Sequence, residues 1–204
     1  MCLTMGILCA AAVVVGRLDH RPTKLQTYGL DLCGGEPCFR GIKVGTDWTT
    51  IKKLFPEAVM LEENNLLILD KDRNLFVNFS RSSNGSFAEY IVITAVDLTT
   101  NLPFNAGDLI AQYGDPCHVA LTSQGGILWS EIKVYYAKMQ VDYDTRTQVT
   151  GNYSLGNLNV IGIILADQGG ICHKNHNSEV SPWHGFVSAE EYHDRFQYDP
   201  VDIP

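Results

Sequence analysis

The stretch GIKVGTDWTTIKKLFPEA at residues 41–58 carries the start and stop signals of one short helix. Thr46 or Asp47 can accept hydrogen bonds from the first unpaired backbone N–H groups of a helix, and Pro56 cannot continue one. The apolar positions between these signals share one helical face: Trp48, Ile51, Leu54 and Phe55. This spacing predicts a short amphipathic helix whose apolar face packs against other elements.

Strands are predicted directly after this helix. Apolar runs occupy residues 65–69 and 75–79, and the residues between them, 70–74, are typical of a turn. A polar loop at 80–86 leads to a strand at 90–98 that is almost wholly apolar. The order of this first unit is therefore helix, hairpin, strand.

The same order recurs in the second half of the chain. The segment PFNAGDLIAQYGDPC at 103–117 predicts a helix capped by Asn105 and ended by Gly114. Its apolar face holds Leu109, Ile110 and Tyr113. Strands are predicted after it at 118–121, 127–129, 132–136, 139–143 and 159–165. Because Pro56 and Pro116 lie 60 residues apart, we predict an internal duplication.

The predicted fold class is α+β, with two helix-plus-antiparallel-sheet units in tandem, preceded by an N-terminal hydrophobic helix. Residues 1–16 are assigned to a hydrophobic membrane anchor or uncleaved signal-like helix, and 17–40 to a linker with the Cys33/Cys38 loop. The first repeat unit spans 41–100, the second unit with a packed tail spans 101–194, and a C-terminal extension spans 195–204.

The first fifteen residues carry no charged side chain. As a helix they reach about 22 Å, short of a hydrocarbon core of roughly 30 Å. No basic residue precedes the apolar run, whereas a secretory signal normally has one there. The alternative to a membrane anchor is a helix or strand of the protein core. Arg17, Arg21 and Lys24 follow the run, and by the positive-inside rule they oppose an extracytoplasmic body.

The cysteines favour the extracytoplasmic side. Gly34, Gly35 and Pro37 in LCGGEPC indicate a tight loop that can bring two thiols together. We predict disulfides Cys33–Cys38 and Cys117–Cys172, which leaves Cys2 and Cys9 in the anchor. Two disulfides in the polar body are typical of an oxidising compartment.

The composition excludes two broad classes of protein. With 45% hydrophobic and 19% charged residues over 204 positions, the chain is not a disordered polymer. Its formal net charge is −8 without a basic run, so no nucleic-acid partner is expected. No phosphate-binding or nucleophile motif occurs, so no cofactor and no catalytic residue is expected. Three N-glycosylation sequons begin at Asn78, Asn84 and Asn152. They could be modified only in a host that glycosylates proteins.

Three sequence segments resemble those of a group of anchored extracytoplasmic tandem-repeat proteins from Chloroflexota-type bacteria. They are GLDLCGGEPCFRGIKVGTDW at 29–48, PFNAGDLIAQYGDP at 103–116 and SPWHGFVSAEEY at 181–192. The resemblance covers most of residues 28–193 and implies an architecture and a location, since that group has no assigned chemistry. More distantly, a helix that ends in Tyr-Gly-Asp-Pro before a hairpin is similar to the SmpA/OmlA and beta-lactamase-inhibitor-protein repeat. That similarity implies a concave protein-binding surface made by two helix-plus-sheet units.

The tail at 171–194 contains several metal-ligand types. His173 and His176 beside Cys172 suggest zinc, but a closed site needs four ligands, and an oxidised Cys172 cannot be one. The repeat Asp70-x-Asp72-x-Asn74 resembles the start of a calcium loop, but it lacks the later glycine and glutamate and fits a hairpin turn. We therefore predict no metal site.

Aromatic residues crowd the second unit, and we take Trp129 and Tyr135 as interface candidates. If Val134 and Tyr136 face the core, strand alternation turns Tyr135 outward, where an aromatic side chain can anchor a partner. The alternative, which we favour, is ordinary packing between neighbouring strands.

We expect a non-enzymatic, membrane-anchored extracytoplasmic protein that acts through protein contacts, as an accessory or structural subunit of a larger membrane assembly. The expected partners are membrane lipid, through residues 1–16, and other protein subunits. One alternative is a metal-dependent hydrolase using the His-rich tail. Another is a ligand- or envelope-polymer-binding module with an exposed aromatic groove.

Overall fold

The computed structural model describes residues 22–82, 85–97, 100–124, 127–143, 158–167, 172, 180–187 and 191. The predicted anchor at 1–16 and the C-terminal extension at 195–204 lie outside these residues. Within the described ranges, no helix combines the length and the apolar character needed to span a lipid bilayer.

Short helices and a larger number of strands make up the described chain. The helices are α1 (Lys24–Thr27), α2 (Trp48–Leu54) and α3 (Ala106–Tyr113). The strands are β1 (Leu30–Cys33), β2 (Glu36–Phe39), β3 (Val59–Glu62), β4 (Asn65–Asp70), β5 (Leu75–Ser80), β6 (Tyr90–Ala95), β7 (His118–Gln124), β8 (Ile127–Tyr136), β9 (Met139–Tyr143), β10 (Val160–Leu165) and β11 (Val180–Pro182).

One antiparallel sheet contains nine of these strands, in the order β11-β7-β8-β9-β10-β6-β5-β4-β3. Strands β3 to β6 pair in chain order, and so do β7 to β10. The two sets join where β10 pairs with β6, with Ile163 opposite Ile93. A second sheet consists of β1 and β2 alone. The prediction of a mixed fold with a large antiparallel sheet is confirmed.

The two longer helices begin at their predicted caps. The Asp47 carboxylate accepts a hydrogen bond from the Thr50 backbone N–H at 2.9 Å. Asn105 and Asp108 form a reciprocal capping box with two bonds of 3.1 Å. At the other end of α3, Gly114 has φ +79°, which a residue with a Cβ adopts only with strain.

The hydrophobic core lies on one side of the large sheet. Leu25 of α1, Ile51 of α2 and Leu109 of α3 belong to one buried cluster with sheet residues such as Val77 and Ile93. Because the buried residues of all three described helices belong to this cluster, these helices cover the same side of the sheet. We call the other side the outer face.

Part of the predicted linker at 17–40 is folded. It contains α1, β1 and β2, and Leu25, Leu30 and Phe39 are fully buried in the core. The glycines of LCGGEPC form the turn of a disulfide-closed hairpin, with positive φ at Gly34 and Gly35. Gly34 and Gly35 therefore form a tight turn and are not part of a flexible linker.

Two side chains depart from the predicted packing. Leu54 was expected on the buried face of α2 but is 55% exposed, because the helix ends there and Phe55 takes the buried position instead. In the tail, which was predicted to pack on the second unit, Trp183 packs against the core, whereas Phe186 contacts the Trp183 ring and stays 44% exposed. Tyr192 lies outside the described residues.

Candidate functional site

Both predicted disulfides are present. Cys33 and Cys38 close the β1–β2 hairpin with Cα atoms 5.8 Å apart. Cys117 and Cys172 join the start of β7 to the tail with Cα atoms 5.6 Å apart. The pairing inferred from the sequence is thus confirmed.

A potential set of metal ligands surrounds the second disulfide. The donor atoms of Cys117, His118 and Cys172 lie within 4.8 Å of one another. The two sulfur atoms are bonded to each other, so neither is the thiolate that zinc requires. His173 and His176, the weaker metal candidates, lie outside the described residues. In this oxidation state the cluster is a structural crosslink.

The interface candidate Tyr135 is buried, which agrees with the favoured interpretation of ordinary cross-strand packing. Only 8% of Tyr135 is exposed. Val134 and Tyr136 face the core as expected, and Tyr135 does point to the outer face, but His118 and Gln140 lie directly opposite it on β7 and β9. Cross-strand packing in the interior of the sheet therefore covers the ring. Trp129 lies in β8, and its side chain is outside the described part of the chain.

A continuous run of exposed apolar side chains lies at the opposite end of the sheet. All four residues of β3 are exposed, and three of them are apolar: Val59 at 61%, Met60 at 49% and Leu61 at 64%. Leu69 on the neighbouring strand β4 is 52% exposed. We call Val59, Met60, Leu61 and Leu69 the edge patch.

The edge patch combines apolar side chains with unpaired backbone. Strand β3 is the last strand of the described sheet, so one of its two sides has no strand neighbour there. Such an edge is a template for another strand, and proteins usually protect it with a short strand, a β-bulge, charge, proline or a covering element. Leu61 lies where the pairing of β3 with β4 skips one residue, which leaves it without a partner on β4.

The apolar surface continues from the edge patch across the outer face. Val59 lies opposite Leu67, and Leu69 lies opposite Phe76, so these pairs share one side of the sheet. Leu67 and Phe76 are half-buried. The outer face of an antiparallel sheet is commonly polar. Here the apolar pairs lie beside polar side chains of the same face, Asn65, Asn78 and Ser80.

Two carboxylates mark one end of the edge strand. Glu62 ends β3 and Glu63 follows it in the turn to β4, and both side chains are exposed. Neither carboxylate makes a hydrogen bond or an ion pair with another part of the described chain. Arg81 lies beside this end, where its Nη2 donates a hydrogen bond to the Glu63 backbone carbonyl at 3.2 Å, and the two carboxylates leave the end of the edge patch with a net negative charge.

Strand β3 was missed in the sequence. The run Glu57-Ala-Val-Met-Leu-Glu-Glu-Asn-Asn65 has no polar–apolar alternation, because β3 has no buried face to enforce it. A weaker signal was present: three apolar residues precede Glu-Glu-Asn-Asn and a second strand at hairpin spacing.

Comparison with known protein families, with curated proteins and with solved structures found no match to this chain. The candidate site therefore rests on its geometry.

At the turn between β4 and β5, Asp70 joins two arginines. Its Oδ2 atom contacts Arg40 Nη2 and accepts a hydrogen bond from Arg73 Nη1 at 2.9 Å, and its Oδ1 atom accepts one from the Arg73 backbone N–H at 3.1 Å. Burial raises the pKa of Asp70, but the bonds from Arg73 and Arg40 outweigh burial and hold the pKa below its ordinary value. Both oxygens thus have partners in an ordinary hairpin turn.

We expect Asp70→Asn to lower the free energy of unfolding by about 2 kcal/mol at neutral pH. Because the pKa of Asp70 is lower in the folded chain, its contribution is present above the unfolded pKa of about 4 and is lost as the pH falls through the folded value. Urea titrations at pH 7 and below pH 3 should show that the unfolding free energy lost in Asp70→Asn is smaller in acid. Asp72→Asn, an exposed position on the same turn, is the control. An equal loss of unfolding free energy in Asp70→Asn at both pH values would contradict the lowered pKa of Asp70.

Proposed function

We propose that this chain is a non-enzymatic protein that acts through contacts with another protein, and that the edge patch is where the partner binds. The observation that supports this most strongly is strand β3, an edge strand with three consecutive apolar residues that are 49–64% exposed. An apolar, unpaired edge costs solubility, and burying it against a partner strand removes that cost.

The proposed occupant is an extended segment of a different protein that adds a strand beside β3. Backbone hydrogen bonds from the outer side of β3 hold the segment, and Val59, Met60 and Leu61 contact its apolar side chains. Glu62 and Glu63 favour a lysine or arginine at the facing end of that segment. A second copy of this chain fits less well, because each copy carries a net charge of −8 and would add two more unpaired glutamates to the interface.

The proposed location is the extracytoplasmic side of a membrane, with residues 1–16 as the anchor. Disulfides Cys33–Cys38 and Cys117–Cys172 support an oxidising compartment. An anchored protein with a strand-accepting edge suits the role of an accessory or structural subunit in a membrane assembly.

We also infer that the body arose by internal duplication. A helix followed by four strands that pair in chain order occurs twice, as α2 with β3 to β6 and as α3 with β7 to β10. The two sets of strands are arranged symmetrically about the β6–β10 pair. This order supports the resemblance to repeat proteins whose two units form a shared binding surface.

The proposed contact can be tested with a synthetic strand. A peptide of alternating valines flanked by lysines should bind saturably in isothermal titration calorimetry, and the double variant Met60→Lys/Leu61→Lys should weaken binding at least about tenfold. Both positions are exposed, so the variant should keep its stability within about 0.5 kcal/mol.

Val96→Lys is the matched control, because Val96 is apolar and 37% exposed but follows β6, away from the edge strand. It should bind the peptide like the wild type. Equal affinity for a glutamate-flanked peptide, or full binding by the double variant, would refute the edge patch as the site. A dimer that forms through β3 in sedimentation experiments would assign the edge to a second copy instead.

A further inference from the structure

A cleft of about 400 Å³ lies between the two disulfide-closed segments, far from the edge patch in the order of strands. One wall is the β1–β2 hairpin, through Leu32 and Pro37. The other walls are the end of α3, the turn after β8 and the Cys117–Cys172 bond, and they contribute Tyr113, Asp115 and Tyr136. We call this space the disulfide cleft.

The walls of the disulfide cleft are fixed relative to one another. The Gln112 side chain donates a hydrogen bond to the Leu30 carbonyl at 2.9 Å and thereby ties α3 to the hairpin. The Tyr113 ring packs edge-on against the Tyr136 ring at 6.4 Å. A cleft built from crosslinked segments is formed before any ligand arrives, which lowers the entropic cost of binding.

Two polar groups of the cleft have no hydrogen-bond or ion-pair partner among the described residues. Tyr136 is only 6% exposed, and its buried hydroxyl has no hydrogen-bond partner among the described residues. Asp115 is exposed, and its carboxylate makes no hydrogen bond or ion pair within that same part of the chain. The other charged residue of the cleft, Lys138, is already paired with Asp167 at 2.8 Å.

A buried hydroxyl without a partner is unfavourable by itself, so a ligand that supplies the missing bond gains affinity. Burial, the Asp115 carboxylate and Tyr113 raise the pKa of Tyr136, so the phenol is neutral and its oxygen can accept a hydrogen bond. A nearby carboxylate and two aromatic rings together favour a cation and disfavour an anion.

We propose that the disulfide cleft binds small organic ammonium compounds with an apolar body. The ammonium group donates a hydrogen bond to the Tyr136 hydroxyl oxygen and pairs with Asp115. The apolar body packs against Tyr113, Leu32 and Pro37. This site is independent of the edge patch, since it shares no residue with β3 or β4.

Three probes of the same shape and different charge test the proposal: phenethylammonium, phenethyl alcohol and phenylacetate. Titration of the full chain followed by NMR should show saturable binding of the ammonium, at least about tenfold tighter than that of the neutral alcohol. Asp115→Asn and Tyr136→Phe should each weaken ammonium binding about tenfold. Tyr90→Phe, at a 40% exposed tyrosine of β6, should bind like the wild type.

Thermal stability separates a ligand site from a structural role of the hydroxyl. Without ligand, Tyr136→Phe should raise Tm by about 2–4 °C, because it removes a buried group that lacks a partner. The proposal is overturned if the ammonium does not saturate, if phenylacetate binds as tightly, or if both cleft variants bind like the wild type. A lower Tm for Tyr136→Phe would likewise overturn it, because the hydroxyl would then be satisfied within the protein.

Discussion

Leu109→Asp is expected to unfold the protein at room temperature or to lower its free energy of unfolding by more than about 4 kcal/mol. Leu109 is fully buried, and it carries the contact of α3 with the core of the sheet. The substitution removes this apolar burial and also places a carboxylate where no partner can reach it. Urea denaturation followed by circular dichroism measures the loss.

The control for this substitution lies two residues along the same helix. Ala111 is exposed, so Ala111→Asp introduces the same charge into α3 without entering the core and should change stability by about 0.5 kcal/mol or less. Ile110→Asp should fall between the two, because Ile110 is half-buried. Similar losses for Leu109→Asp and Ala111→Asp would mean that α3 does not pack as described.

Removal of the Cys117–Cys172 bond should have the second largest effect. This bond joins residues 55 apart, and the chain-entropy relation for a loop of that length gives about 4 kcal/mol. The Cys33–Cys38 bond joins residues only 5 apart and should contribute about 2 kcal/mol by the same relation. The paired variants Cys117→Ala/Cys172→Ala and Cys33→Ala/Cys38→Ala can be compared by denaturant titration.

The two disulfide variants act as controls for each other. Both lose one bond and two sulfur atoms, and they differ chiefly in the length of chain that becomes unconstrained in the unfolded state. A larger loss for Cys33→Ala/Cys38→Ala would contradict this interpretation and would indicate that the hairpin holds more of the fold than its loop length suggests.

The sequence predicted well those features that depend on neighbouring residues. Asp47 and Asn105 cap their helices because a short polar side chain reaches the first N–H groups wherever the helix lies in the fold. Residues 71–74 join β4 and β5 because their composition suits a turn. Cys33 and Cys38 pair because glycine allows the turn between them.

The features that it missed depend on distant contacts. Tyr135 has the alternation of an outward residue, and its burial follows from His118 and Gln140 on the flanking strands. The pairing of β6 with β10 joins segments about seventy residues apart, and no local pattern encodes it. Strand β3 escaped detection for the opposite reason: it has too few tertiary contacts to impose a pattern on its residues.

The interface candidates predicted from the sequence and the proposed binding edge lie in different parts of the sheet. The aromatic residues of the second unit suggested an interface, but Tyr135 is used in packing within the chain. A run of exposed apolar side chains lies in the first unit, where Leu61 and its neighbours are on the edge of the described sheet. Aromatic content indicates contact area, and only the fold shows whether that area is internal or exposed.

Site-specific photo-crosslinking in native membranes tests the central claim most directly. A benzophenone amino acid placed at residue 61, on the edge patch, is compared with the same probe at residue 96, which is also exposed but lies outside the patch. We expect a defined crosslinked partner from position 61, none from position 96, and loss of the first product when Val59 and Met60 are replaced by lysine. Equal crosslinking from both positions, or none from position 61, would contradict a role for β3 as the partner-binding edge.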